Sequence, residues 1–205
     1  YRPAKPGQLY WRIAQFLFPF YTQPPEGVLG HKAFTRAWVP MDDEHTMYFN
    51  IGIPRPRYPI EGTSPKYPGV RSGMLPNDTG WYGRFRLEAR AENDYLIDRH
   101  KQRTEDYSGI ESINTQDQAI TESMGAIYDR TEEHLAVSDV MVIRVRRRLL
   151  AAVRAFQQKG TVPPGVDQPE VYRVRSGGVL LPEGADWIAA TEELRRAYAV
   201  HPPLA

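Results

Sequence analysis

Ser138-Asp139-Val140-Met141-Val142-Ile143-Arg144-Val145-Arg146-Arg147-Arg148-Leu149-Leu150-Ala151-Ala152-Val153-Arg154-Ala155-Phe156-Gln157-Gln158-Lys159-Gly160 is the stretch on which the fold turns. Ser138 is a natural N-cap, the helix is expected to run to about Gln158, and Gly160 stops it. Val142, Val145, Leu149, Val153 and Phe156 recur at spacings of three or four, so they share one face. Arg144, Arg146, Arg147, Arg148 and Arg154 lie on the same helix. A basic helix can bind nucleic acid or an anionic membrane. A solvated face, salt-bridged to acids such as Glu132 and Glu133, fits better with a chain whose net charge is +1.

The residues before this helix read differently. Leu9 to Tyr21 (LYWRIAQFLFPFY) is dense in aromatic and branched residues and is expected to form one buried strand. Lys32 to Pro40 and Thr46 to Ile53 are two further strands. Met41-Asp42-Asp43-Glu44-His45 turns between them, which makes an antiparallel hairpin. Pro54 to Asp78 is rich in Pro, Gly and Arg without periodicity, and its length suits a functional lid or a disordered loop. Trp81 to Arg90 is expected to be a short strand or an extended segment, and Asn93 to Arg103 has a helical bias. A helix then begins near Asn114 or Thr115, with Asp117 in its first turn, and ends by Gly125. Strands followed by helices indicate an α+β domain. Leu181, Pro182 and Trp187 are expected to pack on the body, and Thr191 to Val200 has helical character. The expected division is a body over 1–160 and an irregular extension over 161–205.

Composition bounds the chemistry. There are no cysteines among the 205 residues, so neither a disulfide framework nor a cysteine-ligated cluster can form within this chain. No apolar run is long enough for a transmembrane helix. No signal peptide is visible, and the opening Tyr-Arg-Pro-Ala-Lys-Pro-Gly reads as the middle of a larger polypeptide. A cytoplasmic location is expected.

Beyond these general features, a series of segments resembles one family. They are Trp11 to Phe20, Val39 to Thr46, Asn93 to Arg99 with Gln102-Arg103, Gly109-Ile110, Gln116-Asp117, Glu122 to Gly125, Asp129 to Thr131, Glu133 to Leu135 and Arg147 to Leu150. In that order, across about three quarters of the chain, they resemble the C-terminal part of the catalytic domain in the large subunit of Rieske-type ring-hydroxylating oxygenases. The similar subgroup includes phthalate 4,5-dioxygenase, chlorobenzoate dioxygenase and dehydrodivanillate O-demethylase.

The resemblance implies a helix-grip, START-like fold, an antiparallel sheet wrapped on the long helix at Ser138 to Gln158. It implies that Asp117 is the carboxylate ligand of a mononuclear Fe(II), in an open site of two histidines and one carboxylate. It also implies a [2Fe-2S] Rieske cluster, electrons from NAD(P)H through a reductase, a homotrimer, and an aromatic, carboxylated substrate. The outcome would be ring dihydroxylation or oxidative O-demethylation. Neither nucleic acid nor a membrane is an implied partner.

Two family features are missing from the sequence. No His-x-x-x-x-His pair occurs among His31, His45, His100, His134 and His201, and the Rieske domain is absent. Phe16, Phe18, Phe49 and Ile51 are candidate walls for an aromatic substrate, and Arg84, Arg86 and Arg99 are candidates for its carboxylate. A metal-free START-like carrier of an apolar ligand is the competing reading, since fold alone does not fix function.

Overall fold

The computed structural model describes residues 1–30, 34–52 and 73–197. In chain order the strands are β1 (Arg2–Pro3), β2 (Gln8–Ile13), β3 (Gln15–Leu17), β4 (Tyr21–Gln23), β5 (Phe34–Pro40), β6 (Thr46–Gly52) and β7 (Gly177–Pro182). The helices are α1 (Arg99–Thr104), α2 (Ile113–Ser123), α3 (Val140–Lys159), α4 (Trp187–Ala190) and α5 (Glu192–Arg195). The fold class is α+β with antiparallel sheets and a long helix late in the chain, as expected for a partial helix-grip domain. The chain forms two compact units, residues 1–56 with 134–205, and residues 57–133. Most of the expected lid, like His31 and His201, lies outside the described residues.

The first unit holds both sheets. One has the order β1-β2-β7 and the other β3-β4-β5-β6. The expected single strand from Leu9 to Tyr21 is corrected: it contains β2, β3 and the first residue of β4. Only Ala14 separates β2 from β3, yet they belong to different sheets. The peptide before Pro19 is cis, in the turn that leads to β4. Proline offers no N–H to a ladder, so the apolar run could not continue as one strand.

The hairpin stands as expected, with Pro40 opposite Thr46 and Phe34 opposite Gly52. Its turn is held by Asp42, whose Oδ1 accepts from the backbone N–H of Glu44 at 2.8 Å and of His45 at 2.7 Å. The His45 ring lies 3.0 Å from the same oxygen, so this histidine is part of the turn.

β7 has no counterpart in the sequence reading. It pairs along the whole of β2, from Gln8 opposite Pro182 to Ile13 opposite Gly177. The segment leading into β7 is stitched down by side chains. Tyr172 Oη donates to the Phe18 carbonyl at 2.8 Å, Ser176 Oγ to the Pro24 carbonyl at 2.7 Å, and Gln15 Nε2 to the Arg175 carbonyl at 3.2 Å. Buried Gln23 reaches both Thr35 and the Val174 carbonyl. Leu29 and Leu181 are buried in this region, and Trp187 stacks on Trp11 at 5.3 Å.

α3 ends at Gly160 as expected, in the left-handed conformation (φ 62°) that glycine tolerates. Its start is shifted: a 3-10 turn over Val137–Asp139 precedes it, and Asp139 is the N-cap residue. No residue of α3 is buried, and Val142, Val153 and Phe156 of the predicted stripe are exposed. Among the described residues no helix is long and apolar enough to cross a membrane.

Candidate functional site

α2 carries the candidate ligand, and its start differs from expectation. The N-cap is Ser112, whose carbonyl accepts from the Gln116 N–H at 2.9 Å, not Asn114 or Thr115. The first turn therefore contains no acid, and Asp117 stands in the second. A favourable interaction with the helix dipole fades beyond the first turn, so it does not account for Asp117.

Two faces of α2 are distinct. Thr115 is fully buried, Gln116 Nε2 donates to the Ile110 carbonyl at 2.6 Å, and Gln118 Nε2 donates to Glu122 at 2.8 Å. The Tyr95 hydroxyl donates to the other Glu122 oxygen at 2.7 Å. Ile113, Asp117, Ile120 and Met124 form the other face, at spacings of four, three and four. The three apolar residues there are 52%, 70% and 45% exposed. The Asp117 carboxylate has no hydrogen-bond or ion-pair partner among the described residues, while its backbone carbonyl accepts from Thr121 Oγ1. A carboxylate is an acceptor and a metal ligand, and in this exposed apolar stripe it has no donor beside it among the described residues.

The support beneath α2 is a hydrogen-bonded scaffold over residues 88–110. Asn93 bridges the Glu88 carbonyl (2.8 Å) and the Arg90 N–H (2.9 Å). Asp98 caps α1 through the N–H groups of His100 and Lys101. Gly109 adopts φ 64° and accepts from the Asp98 N–H; a Cβ there would lie 2.5 Å from the Asp98 carbonyl oxygen, so only glycine fits.

Backbone N–H donors lower two carboxyl pKa values here. The Lys101 N–H chiefly, then that of His100, holds Asp98 below 3.8; the Gly109 N–H chiefly, then Ser108, does the same for Asp106. A depressed folded pKa gives stability that is present above the unfolded value and lost as pH falls through the folded one. The amide resonances of Lys101 and Gly109 are therefore expected to report carboxylate titrations with midpoints below the ordinary aspartate value. Midpoints at or above that value would contradict the capping assignment.

Other expected site residues are dispersed. Arg86 pairs with Asp78 at 2.8 Å and Arg99 with Gln102 at 2.9 Å, whereas Arg84 is exposed with no partner among the described residues. Phe49 and Ile51 are exposed, and Phe16 and Phe18 half-buried. Among the described residues no group of three or more His, Cys, Asp or Glu could hold a metal. Among the described residues nothing completes a two-histidine, one-carboxylate set around Asp117. Open clefts of about 420 and 340 Å³ lie elsewhere, around Arg2, Tyr10 and Arg12, and around Arg2 and Leu180. Tyr95 and Glu122 were not anticipated as a pair; 27 residues separate them, and no spacing rule links them.

Known proteins bear on this arrangement. The chain is 44% identical over 201 residues to the oxygenase subunit of 3-chlorobenzoate-3,4-dioxygenase from Comamonas testosteroni, covering 93% of this chain and 46% of that protein. It is 29% identical over 150 residues to the oxygenase subunit of phthalate 4,5-dioxygenase from Pseudomonas putida, covering 73% of this chain and 33% of that one. The chain therefore spans about half or less of the length of these relatives, and the resemblance to the C-terminal region of Rieske-type oxygenase subunits holds. The family model described as "LigXa C-terminal domain like" matches residues 4–200, nearly the whole sequence, and the chain belongs to that family.

Proposed function

We propose that this chain is the C-terminal portion of the catalytic domain of an oxygenase component acting on an aromatic acid, and that Asp117 is the carboxylate ligand of its mononuclear non-haem iron. The observation that carries the reading is the unpartnered Asp117 carboxylate between Ile113, Ile120 and Met124 on α2. A carboxylate meant for solvent gains nothing from apolar neighbours, whereas one meant for a metal in a dry cavity needs them. The two histidines and the [2Fe-2S] Rieske cluster belong, on this reading, to the part of the protein that corresponds to the rest of the relatives' length. Bound iron supplies the chemistry that delivers dioxygen to the ring; this chain's share is one ligand and part of the cavity wall.

Both relatives are dioxygenases by name, which favours ring dihydroxylation over oxidative O-demethylation, and both names contain an aromatic acid. A carboxylated aromatic is the proposed substrate, with NAD(P)H-derived electrons arriving through a reductase and a homotrimer as the assembly. The carrier reading is less favoured, because an apolar-ligand carrier has no use for a free carboxylate in the middle of an apolar stripe.

Native mass spectrometry of the purified intact protein tests the proposal. A trimer of chains roughly twice the mass of this one, carrying iron and converting a benzoate or phthalate, is the expected result. An iron-free protein that binds an apolar ligand and consumes no oxygen would contradict it.

A further inference from the structure

Three consecutive non-glycine residues, Asp94, Tyr95 and Leu96, have φ of 51°, 54° and 56°. Each is disfavoured in that left-handed region, and such strain persists only where the surroundings over-determine it. Here they do. Asn93 bolts the turn to Glu88 and Arg90, the Tyr95 N–H donates to the Arg90 carbonyl at 2.9 Å, and the Ile97 N–H donates to the Asp94 carbonyl at 3.1 Å. The turn directs the Tyr95 side chain onto α2, where its hydroxyl meets Glu122 Oε2 at 2.7 Å. Glu122 Oε1 is held in turn by Gln118, the residue next to Asp117.

These contacts fix how α2 is rotated about its own axis. Near its start, Thr115 is buried and Gln116 is tied to Ile110. Near its end, Tyr95 and Glu122 are the tie. One residue of helix corresponds to about 100° of rotation, so a small slip would swing the Asp117 carboxylate away from its direction on the opposite face. Metal ligation tolerates little such movement.

We propose that the Tyr95–Glu122 hydrogen bond is a positioning latch, which sets the rotation of α2 and so the direction in which Asp117 presents its carboxylate to the iron. The proposal rests on the reading of Asp117 as an iron ligand. Burial, followed by the Glu122 hydrogen bond and charge, pushes the Tyr95 phenol up to about 12, so it stays a proton donor throughout the physiological range.

The test uses the intact oxygenase with four variants, Tyr95→Phe, Glu122→Ala, Glu122→Gln and the double variant Tyr95→Phe/Glu122→Ala. Iron affinity is measured by chelator competition, and Tm alongside it. Tyr95→Phe and Glu122→Ala are each expected to weaken iron binding about 10-fold, because a ligand turned off its productive direction binds poorly. The double variant is expected to bind no more weakly than the weaker single one. Glu122→Gln, which keeps an acceptor for the phenol, is expected to bind within a few-fold of wild type. If Tyr95→Phe does not accumulate, Glu122→Ala against Glu122→Gln carries the test.

A lowered Tm with wild-type iron affinity would overturn the latch and leave the pair a structural contact. Asp117→Ala separates the two levels. If that variant loses iron while Tyr95→Phe and Glu122→Ala do not, the latch alone fails. If Asp117→Ala retains its iron, the ligand assignment fails and the latch with it.

Discussion

Replacing Asp117 by Ala in the intact protein is expected, on the proposed reading, to reduce product formation by more than about a hundredfold while leaving the proposed Rieske cluster reducible. The size follows from the proposed role of Asp117 as a ligand. Loss of a partner one shell further out already costs 10- to 100-fold in affinity or activity, so loss of the ligand itself costs more. Folding is expected to be nearly unaffected, because the side chain is exposed and makes no hydrogen bond among the described residues. The check is single-turnover product analysis of a chemically reduced sample, with circular dichroism as the control on folding. Wild-type product from the variant would contradict the assignment of Asp117.

Gly177→Ala is expected to give a large loss of stability. Gly177 has φ 150°, and a Cβ on it would lie 2.6 Å from Leu29 Cα and 2.7 Å from Leu29 N. These are backbone atoms in a segment held on both sides: the Gly178 N–H donates to the Gly27 carbonyl at 2.8 Å, and the Leu29 N–H to the Gly178 carbonyl at 2.9 Å. No flexible side-chain end is available to move aside, and Leu29 itself is almost wholly buried. Overpacking against fixed backbone, added to an unfavourable φ, is expected to cost about 3 kcal/mol or more. Gly184 provides the contrast. It also has positive φ, 85°, but a Cβ there would meet nothing within 4 Å. Gly184→Ala is expected to cost about 1 kcal/mol from φ alone. Urea unfolding of both variants checks the difference; equal midpoints would show that the approach of residues 27–29 to β7 is not rigid.

Local signals in the sequence were strong where the interactions are local. The hairpin of β5 and β6 could be read from alternation on either side of Met41-Asp42-Asp43-Glu44-His45, because Asp42 completes its turn within three residues. Gly160 announced the end of α3, since a left-handed cap selects glycine. Asp117 is singled out only by the resemblance of ordered segments; as a bare acid near a helix start it carries no signal of its own.

What could not be read depends on distant partners. β7 begins Gly177-Gly178, which reads as a loop until its pairing with β2, at the other end of the chain, is known. The run from Leu9 to Tyr21 looked like one strand because apolar density was high throughout, and nothing in it marks Ala14 as the point where the chain passes between sheets. The start of α2 at Ser112 is hidden because Asn114 and Thr115 are both good caps, whereas Ser112 serves through its backbone carbonyl and makes no side-chain cap bond. The left-handed run at Asp94 to Leu96 has no glycine to signal it, and is held by Asn93 and by hydrogen bonds back to Arg90. The apolar stripe of α3 is legible as a helical period, but its residues are not buried, because burial depends on what packs there and periodicity does not encode that.

Whether Asp117 holds the iron is decided by counting iron in the intact protein and in its Asp117→Ala variant, with the Rieske cluster quantified separately by its spectrum. One iron per protomer beyond the cluster is expected in the wild-type protein and none beyond the cluster in the variant. Equal iron in the two proteins, or no iron beyond the cluster in either, would contradict the assignment.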